Sequence, residues 1–251
     1  MKEGFEMKNF LTKLLLVSLF LLVTPMAVYA QSDAQELSSF DRIVIETRNL
    51  YSNGVMVYLT NNSLYTVEYQ THASFGGSIN IHQEGTTLYV ITDFYTSPRF
   101  NEDVPPVTFR VGINNLLVLA TDGIVNVQGL ASIYSDNLTI TSEGISTIHL
   151  DTNISDTLTL HIDGISTVEL NGYSQNLNMN INGITAIDTS GLITENASIS
   201  ALGMFSVMVH AENSLNVTSR GSGAMGSILY YGNPSNVVRD VPFFVSMITQ
   251  R

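Results

Sequence analysis

The chain has 251 residues, no Cys, no Trp and a formal net charge of −12 at pH 7. Lacking cysteine, it has no disulfide scaffold, no Cys-ligated zinc or iron–sulfur centre and no thiol nucleophile. Its lysines, Lys2, Lys8 and Lys13, all precede residue 14, and the arginines from Arg42 to Arg251 never cluster. The basic stripe that would displace counterions from a phosphate backbone is therefore missing, which excludes nucleic acid as a partner.

The N-terminus reads as an export signal. Lys8 and Lys13 precede the apolar run 14–23, then Pro25, and then the small residues Val28 and Ala30 on either side of Tyr29. A basic start, an apolar stretch of about 7–15 residues and an A-x-A-like end describe a secretory signal peptide. The run is too short, and too soon broken by proline, for a membrane span of about 20 residues. Residues 1–30 are thus expected to be removed, with Met1 or Met7 serving equally as the start. No lipobox cysteine is available for lipid anchoring, and no later segment is apolar enough to cross a bilayer. Removal would take away every lysine and leave an acidic, exported chain located in the periplasm, on the outer surface or outside the cell. Residues 31–38 read as a short linker.

Between residues 39 and 107 the candidate strands are 42–45, 55–59, 65–69, 88–91 and 107–111, rich in β-branched and aromatic residues. Residues 96–106 form a loop by their prolines and charges. These strands read as the first, less regular coils of one continuous solenoid.

From residue 117 a repeat dominates. Gly123, Gly144, Gly164, Gly183, Gly203 and Gly223 recur about every 20 residues, in the settings TDGIVNV, SEGISTI, IDGISTV, INGITAI, ALGMFSV and GSGAMGS. One residue after the glycine stand Ile124, Ile145, Ile165, Ile184, Met204 and Ala224, and four after it Val127, Ile148, Val168, Ile187, Val207 and Ser227. Four before it stand Leu119, Ile140, Leu160, Met179 and Ile199, and six before it Leu117, Leu138, Leu158, Leu177 and Ala197. These apolar columns are expected to face inward and the Thr, Ser and Asn between them outward, with a local period of two. The glycine marks a corner with positive φ. A leucine-rich repeat has a similar period but needs an Asn ladder and a helix-forming half, whereas the intervening segments here are turn chemistry. The fold expected is all-β: a single-stranded parallel β-helix, right-handed, with coils of about 20 residues over 39–236. Residues 237–251, ending in the apolar stretch 241–248, are a tail that could cap the open end.

The order of these segments resembles a known family. FDRIVI (40–45), VMVYL (55–59), VEY (67–69), LYVI (88–91) and LLVL (116–119) lead into DGI (122–124). Repeated Gly-Ile-Ser/Thr turns follow, and the tail carries GSG (221–223) and ILYYGNP (228–234). This is similar to the family of bacterial exported proteins described as putative auto-transporter adhesin, head GIN domain, over roughly residues 38–236. The resemblance implies a parallel β-helix exported to the cell envelope, and it implies no catalytic residues. Where members of the family often end in another Gly-Ser-Gly turn, this chain has VPFFVSMI (241–248).

Three sets of residues could carry chemistry. Asp122, Glu143, Asp163 and Asn182 precede the corner glycines, and carboxylates stacked about 4.8 Å apart could bind calcium; turn-favouring residues splayed into water explain them equally. Gln128, His149, Glu169 and Asp188 form a second outward column that could act in acid/base catalysis, as glycoside hydrolysis needs paired carboxylates in a cleft; a solvated face is the plainer account. Tyr51, Tyr58, Tyr65, Tyr69, Phe94 and Tyr95 could stack on sugars or pack as core. The histidines His72, His82, His149, His161 and His210 lack metal-ligand spacing. The glycine-rich 221–226 lacks the strand-then-helix context of a nucleotide loop.

No catalytic, cofactor or metal-binding residue is therefore assigned and no cofactor is expected. The function expected is a non-enzymatic, exported cell-envelope adhesin or binding module that presents polar faces to carbohydrate or to a cell-surface protein. It would not be integral to the membrane once the signal is removed, and self-association is allowed. The rivals are a polysaccharide-active hydrolase or lyase, which needs a cleft with two carboxyl groups within about 10 Å, and a purely structural envelope protein.

Overall fold

The computed structural model describes residues 29–31, 34–49, 54–72, 74–95, 105–219, 224–242 and 244–249. The expected signal segment up to residue 28, most of the loop at 96–104, and Tyr51, Gly221, Gly223 and Phe243 lie outside the described residues. Every regular element among them is a strand. In chain order these are β1 (Tyr29–Gln31), β2 (Gln35–Glu36), β3 (Arg42–Arg48), β4 (Val55–Asn61), β5 (Thr66–His72), β6 (Gly77–Glu84) and β7 (Thr87–Phe94). They continue as β8 (Val107–Ile113), β9 (Val118–Gly129), β10 (Ile133–Thr218), β11 (Met225–Tyr231), β12 (Asn236–Asp240) and β13 (Val245–Thr249). Together they form one open sheet of 13 strands.

The stacking order of the first half differs from the chain order. β4 pairs in parallel with β8 on one side and β9 on the other, and β3 sits likewise between β7 and β9. The segment 42–61 is thus held between the later 87–113 and the repeats. Reading these strands as coils laid down in sequence is corrected accordingly. The physical cause is chain reversal. β5 runs antiparallel to β8, and β6, which sequence inspection missed, forms an antiparallel hairpin with β7. β1 and β2 then pair antiparallel to β5. Gln31 and the two residues of β2 fall within the expected linker.

From β9 onward the chain returns beside itself about every 20 residues. β9 and β10 pair in parallel from Thr139↔Val118 to His149↔Gln128, with Gly144 opposite Gly123. Inside β10 the same offset recurs. A Cβ on Gly164 would overlap the carbonyl oxygen of Gly144, and one on Gly183 that of Gly164, so successive corner glycines lie directly against each other. Their φ angles of +127° and +139° add a second requirement for glycine. β11 closes on β10 with Met204↔Met225, and β13 on β11 with Gly226↔Val245. Gly203 therefore faces Ala224 rather than Gly223, and the last repeat is displaced by one residue. Ile228, not Ser227, joins Val207 in the core column.

The core follows one parity rule. Leu138, Leu158 and Leu177, then Ile140, Leu160 and Ile199, then Ile148, Val168, Ile187 and Val207 are all buried, and each such side chain contributes about 1.5–3 kcal/mol on removal from water. Counted from the corner glycine, these positions are all even. Within about five residues of the glycine the odd positions face out, so two expectations are corrected. From Ile145 to Met204 the column one residue after the glycine is half exposed instead of inward (Ile145 47%, Ile165 50%, Ile184 50%, Met204 48%), while Ala224 is buried as expected. The Ser and Thr at two before and two after are buried instead of outward, among them Ser142, Ser146, Ser166 and Thr185. The bend at glycine brings Ser142 Oγ within 2.6 Å of Ser146 Oγ across the inside of the corner, and Ser146 Oγ donates to Ser166 Oγ in the next pass at 3.0 Å.

Candidate functional site

Strand alternation and the 20-residue return build a concavity on the described surface. Residues three before the glycine (Thr141, His161, Asn180, Ser200) and one before it (Glu143, Asp163, Asn182, Leu202) point outward from the same strands, two residues apart. Same-face neighbours along a strand lie about 6.5 Å apart and successive strands about 4.8 Å. The two rows therefore wall a trough running across the strands, floored by the buried Ser142, Ile162, Ile181 and Ala201. The depression holds about 550 Å³. Asn182 Nδ2 donates to Asp163 Oδ1 at 3.3 Å, tying one pass to the next along the acidic wall. Imidazole, amide, hydroxyl and carboxylate groups thus converge on one channel, an assortment of donors and acceptors that suits hydroxyl-rich ligands.

The acidic row extends past the trough. Glu46 of β3 is opposite Asp122, and Asp122 opposite Glu143. Glu46 accepts from Arg48 Nε at 2.6 Å, and this hydrogen bond, with the charge of the same carboxylate, raises the Arg48 pKa above its ordinary value. Among the described residues no group of three His, Asp or Glu side chains is placed to hold a metal ion.

The second column is brought together only in part. His149 Nε2 lies 3.9 Å from Glu169 Oε2, both about half exposed, a pairing worth at most about 1 kcal/mol. Asp188 turns away to accept from the backbone N–H and Oγ of Ser190 at 2.9 and 2.6 Å. These groups stand on an open face. The aromatics divide. Tyr65, Tyr69 and Phe94 pack against the core, Tyr58 lies under the Arg110 guanidinium at 5.6 Å from its ring centroid, and Tyr95 is exposed with its hydroxyl 2.7 Å from Ser78 Oγ. None of them reaches the trough.

Sequence reasoning named the acidic wall but missed the facing row of Thr141, His161, Asn180 and Ser200. The signal was available, since those residues stand two before the acidic column and so share its face.

Residues 42–234 match the family described as putative auto-transporter adhesin, head GIN domain. The chain belongs to that family. The head GIN fold is also seen in solved structures that share little sequence with this chain. A putative adhesin from Bacteroides fragilis NCTC 9343 is 17% identical with a TM-score of 0.65, covering 90% of this chain and 95% of its own. A putative lipid binding protein from Parabacteroides distasonis ATCC 8503 is 13% identical with a TM-score of 0.56, covering 89% and 95%. A putative adhesin from the same organism is 13% identical with a TM-score of 0.53, covering 88% and 97%. These likenesses establish a common fold over nearly the whole chain. No curated protein matches the sequence.

Proposed function

We propose that the chain is an exported, non-enzymatic adhesin of the cell envelope that binds carbohydrate in the trough between Thr141–His161–Asn180–Ser200 and Glu143–Asp163–Asn182. The trough itself carries the reading: a channel of about 550 Å³ with hydrogen-bond donors and acceptors on both walls and apolar side chains along its floor, a combination that suits the hydroxyls and the C–H faces of a sugar. In this proposal the repeated passes wind as a single parallel β-helix from β9 onward, over residues 118–231, and the irregular first half caps it. The glycine-on-glycine contacts and the parallel pairings some 20 residues apart support that winding. Export rests on the basic, apolar and small-residue pattern of residues 1–30, and the adhesin class on the family description.

The enzymatic alternative is weaker on geometry. Glu143 and Asp163 occupy the same wall, one pass apart, whereas glycoside hydrolysis sets its two carboxyl groups on opposite sides of the scissile bond. A lipid ligand, as in the description of one structural relative, suits an apolar pocket better than this lining. The test is a glycan array probed with the purified chain, run beside an assay for reducing-sugar release. A bound glycan whose affinity falls at least tenfold in Asn180→Ala and Asp163→Asn supports the proposal. Sugar release removes its non-enzymatic part, and binding that both variants retain removes the trough.

A further inference from the structure

The corner that makes the trough also makes a ridge beside it. Ile145, Ile165, Ile184 and Met204 stand one residue past a corner glycine, and Met225 and Phe244 continue their line by strand register in the next two passes. The register Met204↔Met225 is direct, and Gly226↔Val245 sets Phe244 next to Met225. Their exposures are 47, 50, 50, 48, 51 and 67%. At about 4.8 Å per strand the ridge runs about 24 Å. These side chains take no part in the core, which the even positions fill, and an ordered apolar line of this length marks an interaction surface.

We propose that this ridge is a two-fold interface between two copies of the chain, packed antiparallel. Charge selects the occupant. The row on one side of the ridge is acidic in its first half (Asp122, Glu143, Asp163) and neutral in its second (Asn182, Leu202). The described arginines, Arg42, Arg48, Arg110 and Arg239, belong to β3, β8 and β12. An anionic lipid surface or an acidic partner thus finds no cation along β9 and β10 and meets carboxylates instead. A second copy turned end for end sets each acidic half against the other's neutral half. Ile145 then faces the partner's Phe244, Ile165 its Met225 and Ile184 its Met204, which is the self-complementary pairing that a two-fold axis demands. The row on the other side is small (Thr147, Thr167, Ala186, Ser206, Ser227) and leaves the ridge proud enough to meet its copy.

Area sets the strength. The ridge with its neighbouring rows is about 24 Å by 14 Å in plan, nearer the apolar centre of an interface than the full ~800 Å² per partner of a standard one. The dimer is accordingly reversible and concentration-dependent. Sedimentation velocity of the full chain over a thousandfold concentration range should show monomer passing to dimer. Ile184→Asp and Ile184→Ser should each weaken association at least tenfold without altering the circular dichroism spectrum. The native chain has no cysteine, so single introduced thiols report the register. With a short bismaleimide, Ile184→Cys beside the axis should cross-link to its copy, whereas Ile145→Cys, displaced from its copy by about 24 Å along the ridge, should not. A chain monomeric at every concentration overturns the proposal, as does a dimer indifferent to Ile184→Asp or cross-linked equally through residue 145. Monomers that float with phosphatidylcholine vesicles through the ridge would assign it to lipid instead and also overturn it. These variants change no trough residue, so glycan binding measured on the monomeric Ile184→Asp chain tests the trough separately from association, although the flanking row Glu143–Asp163–Asn182 belongs to both surfaces.

Discussion

A corner glycine here meets two demands that only glycine satisfies together: a left-handed φ and the absence of a Cβ facing the carbonyl of the preceding pass. At Gly183 both apply, with φ +139° and a Cβ that would overlap the Gly164 carbonyl oxygen. The atom in the way is backbone, so relief requires separating two strands. Gly183→Ala should cost about 2–4 kcal/mol, combining conformational strain with lost strand pairing. Gly85 is the control. Its φ is +58° but open space surrounds the position of a Cβ, and Asn tolerates that conformation well, so Gly85→Asn should cost less than about 1 kcal/mol. Chemical denaturation of both variants checks the pair; equal losses would show that conformation alone, and not the stacking of glycines, sets the requirement.

Within the strands, parity explains what could be read in advance. Columns four and six before the glycine and four after it were legible because β-branched and Leu residues recur there through successive passes. The column one after the glycine was misread because its residues are just as apolar, although an odd position cannot share a face with the even ones around it. Ser146 and Ser166 misled in the opposite sense: their hydroxyls are satisfied by each other inside the corner, so polarity did not mean exposure. The trough was half legible, since acidic residues announce themselves while Thr, Asn and Ser do not. Least legible was the first half, where β3 and β4 lie between strands that come later in the chain, a long-range choice that leaves no local pattern. The C-terminal strands bear on stability at this scale. β13 lies on β11 with Val245 buried to 1%, so ending the chain at residue 235 would uncover the β11 edge and the end of the core. Bare edges recruit other strands. The truncated chain should melt earlier and elute partly as aggregate in size-exclusion chromatography; an unchanged melting temperature would mean that β12 and β13 add nothing to the sheet.

For the molecule as a whole the unsolved problem is charge. Residues 118–218 contain six Asp, four Glu and neither Lys nor Arg, stacked at strand spacing. Much of the repulsion is relieved by alternation from pass to pass. Asp136 accepts from Ser155 at 2.7 Å, Asp151 from Asn171 at 3.3 Å, Asp156 from Asn176 at 3.2 Å and Asp163 from Asn182 at 3.3 Å. One run, Asp122–Glu143–Asp163, sets carboxylates one after another with no hydrogen bond between them among the described residues. Like charges opposite each other on neighbouring strands cost about 0.2–1 kcal/mol, and a shift of 1 kcal/mol moves the melting temperature of a chain this long by about 2–4 °C. Glu143→Gln should therefore raise the melting temperature by about 1–3 °C. Asn176→Asp, which replaces the donor to Asp156 with a second carboxylate beside it, should lower it by at least as much. Salt distinguishes this account from a packing effect. The Debye length falls from about 10 Å at 0.1 M to about 3 Å at 1 M, so added sodium chloride should stabilise the parent chain and draw both variants toward it. Differences that survive undiminished at 1 M salt would mean that the amide and carboxylate stacks act through hydrogen bonding alone.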